Sequence, residues 1–252
     1  MSFDPSVAIR FGLVLGRIAG MMAVAPIAWE ESPAKARATL AILCAVVVSP
    51  TVENVPVSLE QGITAAPMEI LLGVAMGMVP RMMMSVSHMV GDLLTPLFGL
   101  NGQLLFGGKS EGESALGRLV RMLVAILALG LGVHRVILAS TLHSFAVLPP
   151  GGTMNVGLAV GPLAEVARSV LVLGVRMSMP IVAVHLAMQT ALAFISRAAP
   201  SMQVFSIGFA ASIIVGFLTL LILLPDEAVE VTRTFSDTGP AIEHVLLAVM
   251  GR

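Results

Sequence analysis

Residues 38–52, 136–164, 177–196 and 198–225 of this chain contain no Asp, Glu, Lys or Arg. A helix needs about 20 mostly apolar residues to cross a bilayer, and several of these runs approach or exceed that length. Only 12% of the 252 residues are charged and 57% are apolar, whereas a soluble domain carries roughly 25% charge. A mean hydropathy of +0.97 says the same. There is too little polar surface here to coat a globule in water, so the expected fold class is all-α: a polytopic membrane protein.

Proline, glycine and charge divide the chain into about six apolar helical segments, at 7–27, 38–49, 67–89, 119–148, 163–194 and 204–224. Pro180 is expected to kink or split the fifth, because proline removes a helical hydrogen bond and clashes with the preceding turn. The tail from Asp226 begins acidic and ends in "AIEHVLLAVMGR", which suits an amphipathic terminal helix better than another span. Lys35, Arg37, Lys109, Arg118 and Arg197 all fall in odd-numbered connections. The positive-inside rule then places those connections in the cytoplasm and both termini outside. The N-terminus carries Asp4 in place of a basic region, and Arg10 and Arg17 interrupt its apolar part; no cleaved signal peptide is expected.

Arginines at the edges of or inside the apolar segments are costly, roughly 2.5–3.5 kcal/mol each at the bilayer centre on insertion scales. Arg10 and Arg17 are seven residues apart and so share a helix face. They either snorkel to the interface or face protein partners. Small residues recur at helical spacing in "GLVLG" (Gly12, Gly16) and "GVAMG" (Gly73, Gly77), a pattern that lets backbones approach closely where no hydrophobic force separates helix from lipid. The methionine cluster in "MVPRMMMSVSHM" either fills core gaps or lines a deformable constriction.

Several chemistries find no support. The net charge of −1 and the lack of a basic block exclude a nucleic-acid partner. Five scattered histidines and a lone Cys44 offer no converging metal ligands, and no G-x-S-x-G elbow supports a serine nucleophile. Neither metal nor cofactor is expected, and no enzyme. Glu69, Asp92 and Glu165 could serve a proton-coupled transporter, but capping a helix or pairing with an arginine is the simpler use. The "GGKS" of 107–110 imitates a phosphate loop, but Gln103 stands where the first glycine of G-x-x-x-x-G-K-[ST] belongs.

"RAAPSMQVFSIGF" fits a pattern R-x-A-P-x-x-x-x-F-x-I-G-F through Arg197, Ala199, Pro200, Phe205, Ile207, Gly208 and Phe209. "GRIAGMMAVAPIAWEESPAKAR" adds Arg17, Pro26, Pro33 and Arg37, "MEILLGVAMG" adds Glu69, Gly73 and Gly77, and "HRVILASTLHSFAVLP" adds His134, Ser144, Phe145 and Pro149. In this order they resemble the FliR family of flagellar export-gate proteins, whose injectisome counterparts are called SctT. The resemblance covers nearly the whole chain, so 1–252 is expected to be a single FliR-like domain. Ser201, Gln203 and Ala210 depart from residues common in the family, as does "GGKSEG".

The resemblance implies a non-enzymatic subunit of the type III protein export gate in the bacterial inner membrane, within the flagellar basal body. Bent helical hairpins would sit in a hetero-oligomeric ring with FliP-like and FliQ-like subunits, in contact with membrane lipid and with FlhB-like and FlhA-like proteins of the export apparatus. Unfolded flagellar subunits would be the transported cargo. It also implies that the loop Phe106, Gly107, Gly108, Lys109, Ser110, Glu111, Gly112 and Glu113 plugs the closed pore, with glycines for freedom and charges to keep it wet. An injectisome gate subunit and, more distantly, a self-contained proton-coupled transporter are the alternatives.

Overall fold

The computed structural model describes residues 5–25, 33–52, 59–97, 115–198 and 204–251, with the backbone alone at Pro5, 115–117 and 204–207. Every regular element among them is helical. Helix α1 is Pro5–Val24, α2 Ala34–Val48, α3 Leu59–Leu97, α4 Ala115–Gly130, α5 Val133–Val147, α6 Val160–Ala198, α7 Val204–Ser236 and α8 Thr238–Val249; short 3-10 turns follow α2 and precede α6. By length and composition five helical stretches among the described residues can cross a membrane, or six if α4 and α5 count as one broken span.

Local sequence explains most boundaries. Pro5 opens α1, where its missing N–H is an orphan of the first turn in any case. Pro33 precedes α2, and its carbonyl accepts from the amides of Ala36 and Arg37. Pro33 to Arg37 is therefore the first turn of that helix. The fourth apolar segment is broken at Gly132, whose φ of +72° is a left-handed conformation that a side chain would strain.

Several boundaries differ from the sequence reading. Pro180 does not split α6, which continues to Ala198, and α7 runs through Pro225 to Ser236 instead of ending at 224. A long apolar helix keeps most of its ladder when one bond is lost, and its neighbours hold the rest in place. Helix α3 likewise extends beyond 67–89 at both ends, because polar flanks can propagate a helix that an apolar centre has nucleated.

The chain forms two compact units. The first comprises residues 1–83, 128–168 and 234–252. Its core joins Val14, Ile18 and Met22 of α1, Ala41, Ala45 and Val48 of α2, and Phe145 of α5. Helix α8 belongs here too, burying Ile242, Val245, Leu246 and Val249 on one face as its amphipathic pattern requires. Its last residue accepts a backbone hydrogen bond from Asn155. Met83, buried in this unit, receives the Thr238 hydroxyl on its sulfur at 3.1 Å.

The second unit comprises residues 84–127 and 169–233. Within it Gly174 of α6 stands against the Met89 side chain of α3, and Gly208 of α7 stands against Leu192 of α6. At Met83 and Met89, then, the methionine cluster is packing material.

Candidate functional site

A charged side chain of the first unit, Arg17 at the centre of α1, has no exposed surface. Its Nε donates to Glu69 Oε2 at 2.6 Å, and Glu69 on α3 is equally buried. Its Nη1 donates to the carbonyls of Ser144 and Leu148, each at 3.0 Å, and to the Ser144 hydroxyl at 3.1 Å. That hydroxyl in turn donates to the Thr141 carbonyl. The guanidinium carbon lies 4.4 Å from the centre of the Phe145 ring, a cation–π distance.

The accepting carbonyls have a structural origin. Helix α5 ends at Val147: the Leu148 amide still reaches the Ser144 carbonyl, but Leu148 itself is extended, so its own carbonyl has no helical amide to receive. Arg17 supplies donors to two carbonyls at this end, and a cation at a helix C-terminus also opposes the negative pole of the helix dipole. Glu69 fastens the turn that follows. Its Oε1 accepts the amide of Gly151 at 2.9 Å, and Gly151 has φ +79°, which favours glycine. One ion pair thus joins α1, α3, the end of α5 and the turn carrying Pro149.

Such a pair requires α1 and α3 to lie almost backbone to backbone. A Cβ added at Gly73 would collide with the Arg17 carbonyl oxygen and stand 2.9 Å from the Met21 nitrogen; at Gly77 it would be 2.8 Å from the Met21 carbonyl oxygen. Gly20 of α1 plays the reciprocal part against the carbonyl of Ile70. Small residues at four-residue spacing are how helices approach closely in an apolar environment. Glu69, Leu72, Met76, Val79 and Met83 form the buried stripe of α3 that follows this line.

The structure gathers Arg17, Glu69, Gly73, Gly77 and Phe145 at this site, with Pro149 in the adjoining turn. Glu69 pairs with an arginine, the simpler of its two anticipated uses. Arg17 neither snorkels nor faces an outside partner, because α3 provides a carboxylate within the same unit. Of the Gly12 and Gly16 pair only Gly16 meets another helix, near Ile70; Gly12 looks into open space.

The remaining candidates lie elsewhere. Arg37 is half-buried in α2, and His134 sits in the first turn of α5. Arg197 is exposed in the last turn of α6, and Phe209 is 46% exposed on α7. Gly208 admits Leu192, and Phe205 lies on α7 with only its backbone described. Pro26, Pro200 and the whole of Phe106–Glu113 fall outside the described residues.

Sequence reasoning missed Gly20, the Leu148 carbonyl and Gly151. Gly20 had a signal, since it extends the spacing of Gly12 and Gly16 by another four residues. The carbonyl and the amide had none, because every residue carries both. Among the described residues no three His, Cys, Asp or Glu are placed to hold a metal ion. Chemically the arrangement is a lock, with each oxygen of its carboxylate accepting from one internal donor.

The residues that form this lock span much of the chain, and so does its similarity to known proteins. Residues 8–238 match the family described as "Bacterial export proteins, family 1". The chain belongs to the FliR family of bacterial export proteins. Relatives named "Flagellar biosynthetic protein FliR" include one from Escherichia coli, 25% identical over 225 residues, covering 88% of this chain and 86% of the relative. The Caulobacter vibrioides protein of the same name is 25% identical over 231 residues, covering 89% and 92%. That of Bacillus subtilis is 25% identical over 252 residues, covering 96% and 95%. The similarity to these three relatives thus covers 88–96% of this FliR-family chain.

Proposed function

We propose that this chain is a non-enzymatic subunit of the flagellar type III export gate in the bacterial inner membrane. The observation that carries the reading is the family match over residues 8–238. The relatives' flagellar names favour this over the injectisome counterpart. In this reading residues 1–252 act as one export-gate domain. It joins FliP-like and FliQ-like subunits in a ring that conducts unfolded flagellar subunits, beside FlhB-like and FlhA-like proteins.

The physical support is the uneven burial of the helices. The lock fixes α1, α3 and α5 against one another without outside help. Helix α7 instead leaves Ile214, Leu218, Leu221 and Ile222 more than half exposed. A subunit with one self-sufficient part and one long uncovered helix is built to be completed by neighbours or lipid. The loop 106–113 is assigned in this reading as the displaceable plug of the pore.

Affinity purification of the tagged chain from its native membrane in mild detergent, followed by mass spectrometry, tests the assembly. Stable recovery of FliP-like and FliQ-like chains is expected. Recovery of the chain alone, folded and monodisperse, would overturn the gate reading in favour of a self-contained transporter. The plug assignment has its own test: deletion of 107–112 should make the resting gate leak ions, and an ion-tight deletion would remove the assignment.

A further inference from the structure

A groove of about 320 Å³ opens on the surface of the first unit between α1, α2 and α5. Its walls include Met21 and Met22, Leu43 and Cys44, and Leu138 and Leu142. Thr141 is the one lining residue with a hydroxyl, and that group is already committed to the Ile137 carbonyl of its own helix. The rest of the lining is hydrocarbon and thioether with the single Cys44 thiol, so the groove suits an apolar occupant. At a water-like ~30 Å³ each, the space holds roughly ten methylenes.

Two observations identify the occupant. The outer walls are large side chains, with Leu43 58% and Leu142 50% exposed, whereas helices that dock in lipid do so through small residues. This chain places its close-approach glycines on the internal contact of α1 with α3. The second observation is charge. Arg135 stands three residues before Leu138 and seven before Leu142, so it lies on the groove-lining face of α5, in the first turn of that helix. It is exposed, and it has no ion pair among the described residues. A cation at the end of an apolar groove complements a lipid phosphate.

We propose that the groove holds an acyl chain of an anionic phospholipid whose headgroup is paired with Arg135. The lipid covers apolar surface that the unit leaves open, and it does so whether or not the chain serves in an export gate.

The test is native mass spectrometry of the full-length chain, with any partners that co-purify, after exchange into equal amounts of phosphatidylglycerol and phosphatidylcholine. One exposed arginine at a headgroup is expected to give roughly fivefold preferential retention of phosphatidylglycerol. Arg135→Gln, a surface change that leaves the fold intact, is expected to abolish the preference. Leu138→Trp, which fills the groove, is expected to lower retention of both lipids, and a photoreactive residue in place of Leu142 to crosslink to lipid. Equal retention of the two lipids by the unmodified chain, an unchanged preference in Arg135→Gln, or a crosslink from position 142 to a protein chain would each overturn the proposal.

Discussion

The contact of α1 with α3 and the exposed length of α7 are made from the same kind of apolar sequence, yet they meet opposite surroundings. In the most apolar 18 residues of α3, 44% are buried inside the chain; in the Gly208–Val249 segment the figure is 11%. Helix α3 carries a glutamate that has an internal partner and glycines that admit a neighbouring backbone. The exposed stretch of α7 carries Ile214, Phe217, Leu218, Leu221 and Ile222, large side chains that keep other backbones at a distance. Burial here follows the placement of small and charged residues within the grease, because hydrophobicity alone does not draw one helix to another in lipid.

The sharpest way to break this contrast is to remove the lock. Arg17→Met leaves the Glu69 carboxylate buried without its cation and the Leu148 carbonyl short of a donor. It should destabilise the detergent-purified chain by about 3–5 kcal/mol, read by denaturant unfolding. The double variant Arg17→Met with Glu69→Leu should recover part of that loss, since no uncompensated charge remains. A single variant as stable as the unmodified chain would mean that the pair holds nothing together.

Next in size comes the close approach. Gly73→Val forces a side chain into the α1 backbone and should cost about 1–3 kcal/mol. Gly12→Ala, at a position facing open space, should be neutral or stabilising by up to ~1 kcal/mol through helix propensity. Equal effects at the two glycines would deny that they differ in role. Phe145→Leu keeps an apolar side chain but loses the ring under the guanidinium, and should cost about 0.5–2 kcal/mol.

The smallest effect on stability is expected on α7. Ile222→Asn should change unfolding of the isolated chain by no more than about 0.5 kcal/mol, while lowering the yield of co-purified partner chains. Should it unfold the isolated chain as badly as Arg17→Met does, the division between a self-sufficient part and a completed part would be wrong.

Much of the fold was legible because helix formation in this chain follows from local composition. Charge-free runs marked most spans, Pro33 marked the start of α2, and the apolar spacing after Asp226 marked an amphipathic end in α8. Pro180 does not split α6, and α7 runs on through Pro225, for a physical reason. Proline disfavours a helix interior locally, but whether the helix survives depends on what packs around it.

The site was legible in its members and not in its connections. Arg17, Glu69, Gly73, Gly77 and Phe145 could be named from motifs, and embedded charge alone made Arg17 costly enough to need an explanation. That the partner is Glu69, 52 residues away, and that Nη1 of the guanidinium caps the end of α5 more than 120 residues away, appears only when the helices are packed. Sequence by itself determined that this chain is a set of apolar helices with a few charges they cannot leave in lipid. Tertiary structure decided which charges meet, because an ion pair is selected by geometry in three dimensions, and spacing along one helix specifies a face without specifying what that face will touch.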